Sequence, residues 1–480
     1  MILNILGMLV AISGACMLMS VPFSWYYQTN DLLPLLGSSL GSMILGGTVW
    51  YATQKNRNTD LRRRDGYLIV SLGWIVMSLI GAIPYVVSGA IPSYTDAFFE
   101  TMSGFTTTGA SILNDIESLP QGILFWRSMT HWIGGMGIIV LTIAILPLLG
   151  IGGMQLYAAE VPGPTPDKLT PRVTETARRL WAIYVSLTLL EVIFLMFGGM
   201  SFFDSVCHSM ATLSTGGFST KQASVAAFSP YIQYVVIIFM FVAGINFSLT
   251  YFAIAKQNPK RLLKNEEFRW YFYGVVALTV LVTLVVYFAV EGISLEQAFR
   301  DSLFQIVAIV TTTGFATADY TSWATCVTFL FFILLFVGGS AGSTSGGIKV
   351  VRFLVLFKNA YLEVKRQIHP KAILPVRFNG KAVSPVVVGN ILAFFLLFIL
   401  IFVAGSFVMA AMGLDFLTAV GAVAASLGNI GPGIGGVGPM DNYANIPDAG
   451  KWFLSFLMLL GRLELFTVLI LFMPFFWRKS

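Results

Sequence analysis

The sequence predicts an all-α polytopic membrane protein: ten transmembrane helices, with four repeats of helix, re-entrant segment and helix and an extra N-terminal helix pair. Composition, the charge of alternate loops and a repeated segment predict it. Of 480 residues, 11% are charged, 56% are hydrophobic and 40 are Phe, and mean hydropathy is +0.79. A soluble domain has to cover much more of itself with charge.

A spanning helix needs about 20 mostly apolar residues. Ten stretches qualify, near residues 4–22, 34–53, 67–89, 124–149, 178–200, 230–255, 270–291, 324–357, 384–412 and 451–477. The first lacks the basic start and small-residue cleavage site of a secretory signal and is expected to be retained. Basic residues gather in alternate loops: "KNRNTDLRRRDG", Lys168 to Arg179, "KQNPKRLLKNEEFR", Arg352 to Lys381 and the terminal "RK". The intervening loops hold Lys221, Arg300, Lys451 and, near a helix start, Arg127. Basic loops stay cytoplasmic, which places both termini inside. Such loops suit anionic lipid or a cytosolic partner, at Lys358 to Lys381 above all, and their alternation argues against nucleic acid. Cys16, Cys207 and Cys326 lie within or beside apolar runs without metal-ligand spacing, and are read as buried hydrophobes.

Four segments repeat. "DAFFETMSGFTTTGAS" starts at Asp96, "DSVCHSMATLSTGGFS" at Asp204, "DSLFQIVAIVTTTGFA" at Asp301 and "DFLTAVGAVAASLGNIGPG" at Asp415. Each follows one apolar stretch and precedes another. The implied units are 1–55 for the extra pair, then repeats at 56–160, 161–262, 263–370 and 371–480. In each segment the aspartate is expected to cap a helix. About ten helical residues reach only ~15 Å, so the chain dips halfway into the bilayer with the negative end of its dipole at the centre, where a cation is favoured.

The Thr and Gly run that follows returns in non-helical form. Lipid tolerates such backbone only where it is buried in protein or lines a water-filled cavity. Small residues at this density also serve helix packing, but four copies at the same topological position favour a lining. Gly109, Gly216, Gly314 and Gly431 are expected to take the positive φ that turns successive carbonyls the same way.

These segments, with "GGSAGSTSGGIK" and "GRLELF", resemble the Trk/Ktr/HKT superfamily of potassium transporters, and within it the TrkH-type membrane subunits of bacteria. The likeness covers nearly the whole chain and implies four pseudo-symmetric helix–pore-loop–helix repeats around one pore. It implies potassium uptake across the bacterial cytoplasmic (inner) membrane, with K⁺ as the bound ion, by a homodimer with one pore per subunit on cytosolic nucleotide-binding regulatory subunits (TrkA-like). Carried over, the ligands would be oxygens of Thr107 and Thr108 before Gly109, Ser214 and Thr215 before Gly216, Thr312 and Thr313 before Gly314, and Asn429 and Ile430 before Gly431. Asn429 and Ile430 depart from the hydroxyl pattern, so backbone ligation is expected there. One glycine per repeat implies a shorter and less strict filter than that of potassium channels.

The eighth stretch, residues 324–357, is too long for one straight crossing. Its middle run, Gly338, Gly339, Ser340, Ala341, Gly342, Ser343, Thr344, Ser345, Gly346 and Gly347, is polar and falls below the filter, so it too must line a cavity. In the family this is the intramembrane gating loop. It superficially resembles a phosphate loop, but Ile348 precedes Lys349 and Val350 follows it, so no nucleotide is expected on this chain. Arg462 lies deep in the last helix. Residues two apart on a helix do not face each other, so Arg462 is expected to point at the pore near this loop, as in the family, rather than to pair with Glu464. Lys349 either snorkels to the inner surface or joins the gate. His131 and His208 are read as hydrogen-bonded core residues and His369 as solvated. The alternative to a channel-like pore is a secondary K⁺ symporter coupled to H⁺ or Na⁺, which needs an ionisable residue at the midplane; Glu191 lies toward the outer half. Paired catalytic motifs are missing, which argues against an enzyme.

Overall fold

The computed structural model describes residues 1–54, 63–148, 173–254 and 256–478. The repeat boundaries expected at 55/56 and 160/161 therefore lie outside the described residues. The architecture is almost wholly helical. Its one sheet among the described residues is a two-stranded hairpin, Arg377–Phe378 with Lys381–Ala382, inside the stretch read as a basic loop. Much of that stretch is helix, Val350–Ile368. Lys358 Nζ donates to Glu266 at 2.5 Å and to the Arg377 carbonyl at 2.9 Å, so part of its charge is spent within the chain.

The extra pair consists of Ile2–Leu18 and Leu32–Ala52. Small residues let these helices approach closely: a methyl group built on Gly46 would lie 2.4 Å from the Ala11 nitrogen and 2.5 Å from the Gly7 oxygen. Asp31 ties the pair to the rest. Its carboxylate accepts from Ser24 Oγ and Thr29 Oγ1, each at 2.5 Å, and from the Ile123 amide at 2.9 Å.

Among the described residues, six helices have the length and apolarity of a membrane span, or eight if each bent pair counts as one. Besides the eighth stretch, which was expected to break, two of the expected crossings are bent. The stretch at 230–255 divides into Pro230–Ala243 and Phe247–Ile254, bent by 109°, and the last into Asp448–Arg462 and Phe466–Phe472, bent by 113°. The first bend falls at Gly244, which is wedged against Tyr271 Oη and Thr311 Cγ2. The second falls at Glu464 and Leu465, both at positive φ. The eighth stretch has only ten helical residues, Thr325–Leu334, before its loop.

Four short helices lie inside this frame: Tyr94–Phe105, Phe202–Leu213, Leu295–Val310 and Phe416–Gly428. Every residue from Ala97 to Phe105 is buried, and the other three are similarly enclosed. Two large apolar clusters surround them, one around Phe99, Phe105 and Trp126, the other around Tyr184, Phe304 and Phe331. The caps differ from expectation. Ser93, Ser201 and Ser294 cap the first three helices, and only Asp415 acts as the aspartate cap. Asp96 and Asp204 sit in the first turn, where a carboxylate favours the positive dipole end. Asp301 is deep inside a helix that begins six residues earlier. Of the cysteines, Cys207 is buried, Cys16 intermediate and Cys326 exposed, which corrects the reading of all three as buried; none is paired.

Replacing Gly46 by Val is expected to unseat the N-terminal pair, because both colliding atoms are backbone. The fall in Tm and in monodisperse yield in detergent checks it.

Candidate functional site

The four short helices end alike. In the first, the Thr107 amide donates to the Gly104 carbonyl and the Thr108 amide to that of Ser103. The same pair of bonds recurs at Thr215 and Gly216, at Thr312 and Thr313, and at Asn429 and Ile430. This terminating motif puts its central residue in the left-handed region, usually glycine. Here Thr107, Thr215, Thr312 and Asn429 hold φ of 53°, 54°, 56° and 53°. A β-branched residue at such a φ costs about 1–3 kcal/mol. Three threonines held this way mark a place where backbone direction matters more than local ease.

Two residues on stand Gly109, Gly217, Gly314 and Gly431, with φ of 80°, 82°, 76° and 94°. A methyl built on Gly109 would lie 2.2 Å from the Gly216 carbonyl oxygen, on Gly217 1.9 Å from that of Thr313, on Gly314 1.9 Å from that of Ile430, and on Gly431 2.7 Å from that of Thr108. Each glycine thus accommodates the next segment's carbonyl, and the series closes on itself. The four segments encircle one axis, with the carbonyl-bearing residues Thr108, Gly216, Thr313 and Ile430 at one level.

This ring corrects the second repeat by one residue. Gly216 is not among the positive-φ residues; its place is held by Gly217. Ser214 falls at the level of Thr106 and Thr311 and, like them, bonds back to its own helix, at 2.7 Å to Met210 O. A signal for this was present in the spacing. Asp204 precedes Gly217 by the same thirteen residues that separate Asp96 from Gly109 and Asp301 from Gly314.

A second closed belt braces the ring. Buried Arg127 pairs with buried Glu100 at 2.7 Å and donates to Ser219 O at 2.9 Å, while Glu100 holds the Ile112 amide at 2.9 Å. The Ala316 amide reaches Ser224 Oγ, Tyr320 Oη reaches Gly433 O at 2.6 Å, and the Tyr443 amide returns to Ser111 O at 2.8 Å. Lys451, read as a loop residue, is buried against Asp96 at 2.6 Å. Glu100 was passed over in the sequence and Arg127 was read only as a charge near a helix start, although a charge set among apolar residues is itself a signal. His208 bonds Asp204 O and Ser219 Oγ, and His369 is exposed.

The Gly338–Gly347 loop lies against the C-terminal ends of the short helices. A parallel bridge between Val337 and Ile348 closes its base. Thr344 Oγ1 donates to Leu213 O at 3.0 Å, the Gly346 amide to Thr312 Oγ1 at 2.7 Å, and Gly346 packs on Gly428 O. Arg462 donates to Thr344 O at 2.8 Å and to Gly134 O at 3.1 Å, beside Phe105 O. Loop and Arg462 together reach all four helix ends. Glu464 pairs with Arg352, not with Arg462. Lys349 does not snorkel; it is buried, with Nζ on Ser345 O. Ser343 Oγ bonds Ser340 O and Ser345 Oγ, and the Ser340 amide bonds Gly244 O. Glu267 was hidden in a charged run. It is buried, and its Oε1 accepts from the Ala341 amide at 2.7 Å and the Val351 amide at 3.3 Å, pinning both ends of the loop.

The TrkH family, described as cation transport protein, matches residues 38–479. The chain belongs to this family. It is 40% identical over 481 residues to the Trk system potassium uptake protein TrkH of Escherichia coli K12, covering 100% of this chain and 99% of that one. It is 38% identical to TrkG of the same organism, over 98% and 97% of the two chains. The crystal structure of the potassium transporter TrkH from Vibrio parahaemolyticus superposes with a TM-score of 0.90 at 38% identity, covering 99% of each chain. The family places the protein among membrane transporters rather than enzymes.

Arg127→Gln strands a buried carboxylate and is expected to cost about 3–5 kcal/mol, with much of the loss recovered when Glu100→Gln is added; thermal unfolding of the single and double variants checks it. Glu267→Ala is expected to speed amide hydrogen exchange at Ala341 and Val351 at least about tenfold, as loss of a hydrogen bond to a charged group allows.

Proposed function

We propose that this chain carries potassium into a bacterial cell through a four-repeat, channel-like filter, gated by the Gly338–Gly347 loop. The observation that carries the reading is the closed ring in which four glycines each admit the next segment's carbonyl. Such a ring presents oxygens that replace an ion's hydration shell. Oxygens of Thr107, Thr108, Thr215, Gly216, Thr312, Thr313, Asn429 and Ile430 are the proposed ligands. Thr107 Oγ1 and Asn429 Oδ1 are buried with no other partner, which suits ligation. Four helix C-termini below the ring add negative potential.

Arg462 is the proposed barrier. Its guanidinium is buried against that same negative region, where a permeating cation would otherwise rest. Moving the loop that holds it opens the path. Inward flow is driven by the membrane potential, worth ~2.3 kcal/mol per charge per 100 mV. The termini are proposed to be cytoplasmic, from the basic loops. Cytosolic nucleotide-binding regulators are proposed as partners, since relatives are named as parts of a Trk system, and a second copy of the chain is proposed from the family resemblance alone. A proton-coupled symporter is the second reading. Buried Glu191, beside the Thr212 hydroxyl of the second short helix, is the observation in its favour.

Reversal potential in proteoliposomes separates the two. Under a K⁺ gradient at symmetric pH it is expected at the K⁺ equilibrium potential, and under a pH gradient at symmetric K⁺ at zero; a shift with pH would establish coupling and displace the channel reading. Arg462→Ala is expected to raise K⁺ flux several-fold, as removal of a charge from a low-dielectric path requires, and unchanged flux through a folded variant would refute the barrier.

A further inference from the structure

We infer that His131 is the positioning residue that sets ion discrimination in the second quarter of the filter; the inference rests on the potassium-filter reading above. At the carbonyl level three repeats carry a side chain, Thr108, Thr313 and Ile430, and the second carries Gly216. Backbone conformation does not demand that glycine, because Gly216 is not among the positive-φ residues. What excludes a side chain is His131. A methyl built on Gly216 would lie 2.3 Å from His131 Nδ1, 2.4 Å from Cγ and 2.7 Å from Cε1.

The imidazole therefore occupies the space of the missing side chain, delivered from the helix Gln121–Leu148 of the neighbouring repeat. In the first and third repeats the corresponding hydroxyl is anchored locally. Thr108 Oγ1 bonds Thr106 Oγ1 at 2.8 Å, and Thr313 Oγ1 bonds Thr311 Oγ1 at 2.7 Å. In the second, the anchor is made from outside. His131 Nδ1 accepts from the Phe218 amide at 3.4 Å, and its ring stacks on Phe218 with centroids 4.0 Å apart. Phe218 is held in turn by the Arg127 guanidinium, 3.5 Å from its ring centre.

These contacts determine where the Gly216 carbonyl points. Glycine on both sides of it, Gly216 and Gly217, leaves the strand without any stiffness of its own. A loosened carbonyl can follow a smaller ion inward, which erodes preference for the larger one. His131 thus acts on selectivity by holding Phe218 and filling the space behind Gly216, without touching the ion.

The test is the K⁺/Na⁺ permeability ratio from bi-ionic reversal potentials, measured on the full chain in proteoliposomes. His131→Leu and His131→Ala are expected to keep cation flux but lower the ratio roughly two- to tenfold, the range that one hydrogen bond supports. His131→Gln, which retains an acceptor for the Phe218 amide, is expected to stay within about twofold of the unaltered protein by the same reasoning. Where His131→Ala lowers folded yield, the pair Gly216→Ala with His131→Ala refills the space and is expected to fold with a reduced ratio, since the acceptor is still missing. Folded Leu, Ala or paired variants with the unaltered ratio would overturn the inference. If the unaltered chain itself fails to prefer K⁺, the filter reading fails instead, and the two outcomes are told apart by that control.

Discussion

The close approach of a glycine in each segment to a carbonyl of the next is the constraint on which the rest of the structure depends. A ring made of one chain has no symmetry operator to enforce it. Four unequal segments must arrive at the same depth and offer the same backbone geometry. The helix terminations achieve this with one shared pair of hydrogen bonds, which converts four different sequences into one turn. The strained φ of Thr107, Thr215 and Thr312 is the local cost. It is sustained because each threonine is buried and its neighbours are over-determined.

The surroundings of the ring follow from that need. Backbone leaving the ring runs without regular partners, so its polar groups have to be satisfied by side chains or crossing strands. The belt from Arg127 and Glu100, through Ser224 and Tyr320 to the Tyr443 amide on Ser111 O, supplies them and joins each segment to the next. A charged pair is the expensive member of that belt. Burying Glu100 and Arg127 is tolerable because both are paired and further bonded, to Ile112, Ser111 and Ser219. Rigidity on this side contrasts with the other end of the short helices. There the Gly338–Gly347 loop is held by separate side-chain bonds from several elements, among them Glu267, Asn246, Thr312 and Arg462. Each can be released without breaking a helix.

Sequence patterning and tertiary structure divide along a physical line. Apolar length and repeated motifs are local properties, and they made the membrane class, the four short buried helices with their glycine turns and the unusual middle of the eighth stretch legible. The resemblance to a transporter family was legible on the same residues. Capping was less so. An aspartate at the start of each motif looked like a cap, yet serines take that role in three of four, one turn earlier at Ser93 and Ser201 and about two turns earlier at Ser294, because both residue types satisfy an N-terminus and the sequence does not say where the first turn begins.

Apolar stretches mark where chain can enter lipid, but whether a stretch stays straight depends on what its glycines meet, so the bends near Gly244 and Glu464 belong to packing. Register in the second repeat was read one residue early, at Gly216; the thirteen-residue spacing from Asp204 favours Gly217, and the carbonyl of Thr313 against Gly217 establishes it. Charges brought together from distant parts of the chain, Arg127 with Glu100, Lys451 with Asp96 and Arg352 with Glu464, could not be paired from spacing. The sequence alone determined that polar backbone must lie inside a membrane protein four times over, because hydration and chain length impose it locally. Which oxygens face one another, and which side chains hold them there, was decided only when distant segments closed on a common axis.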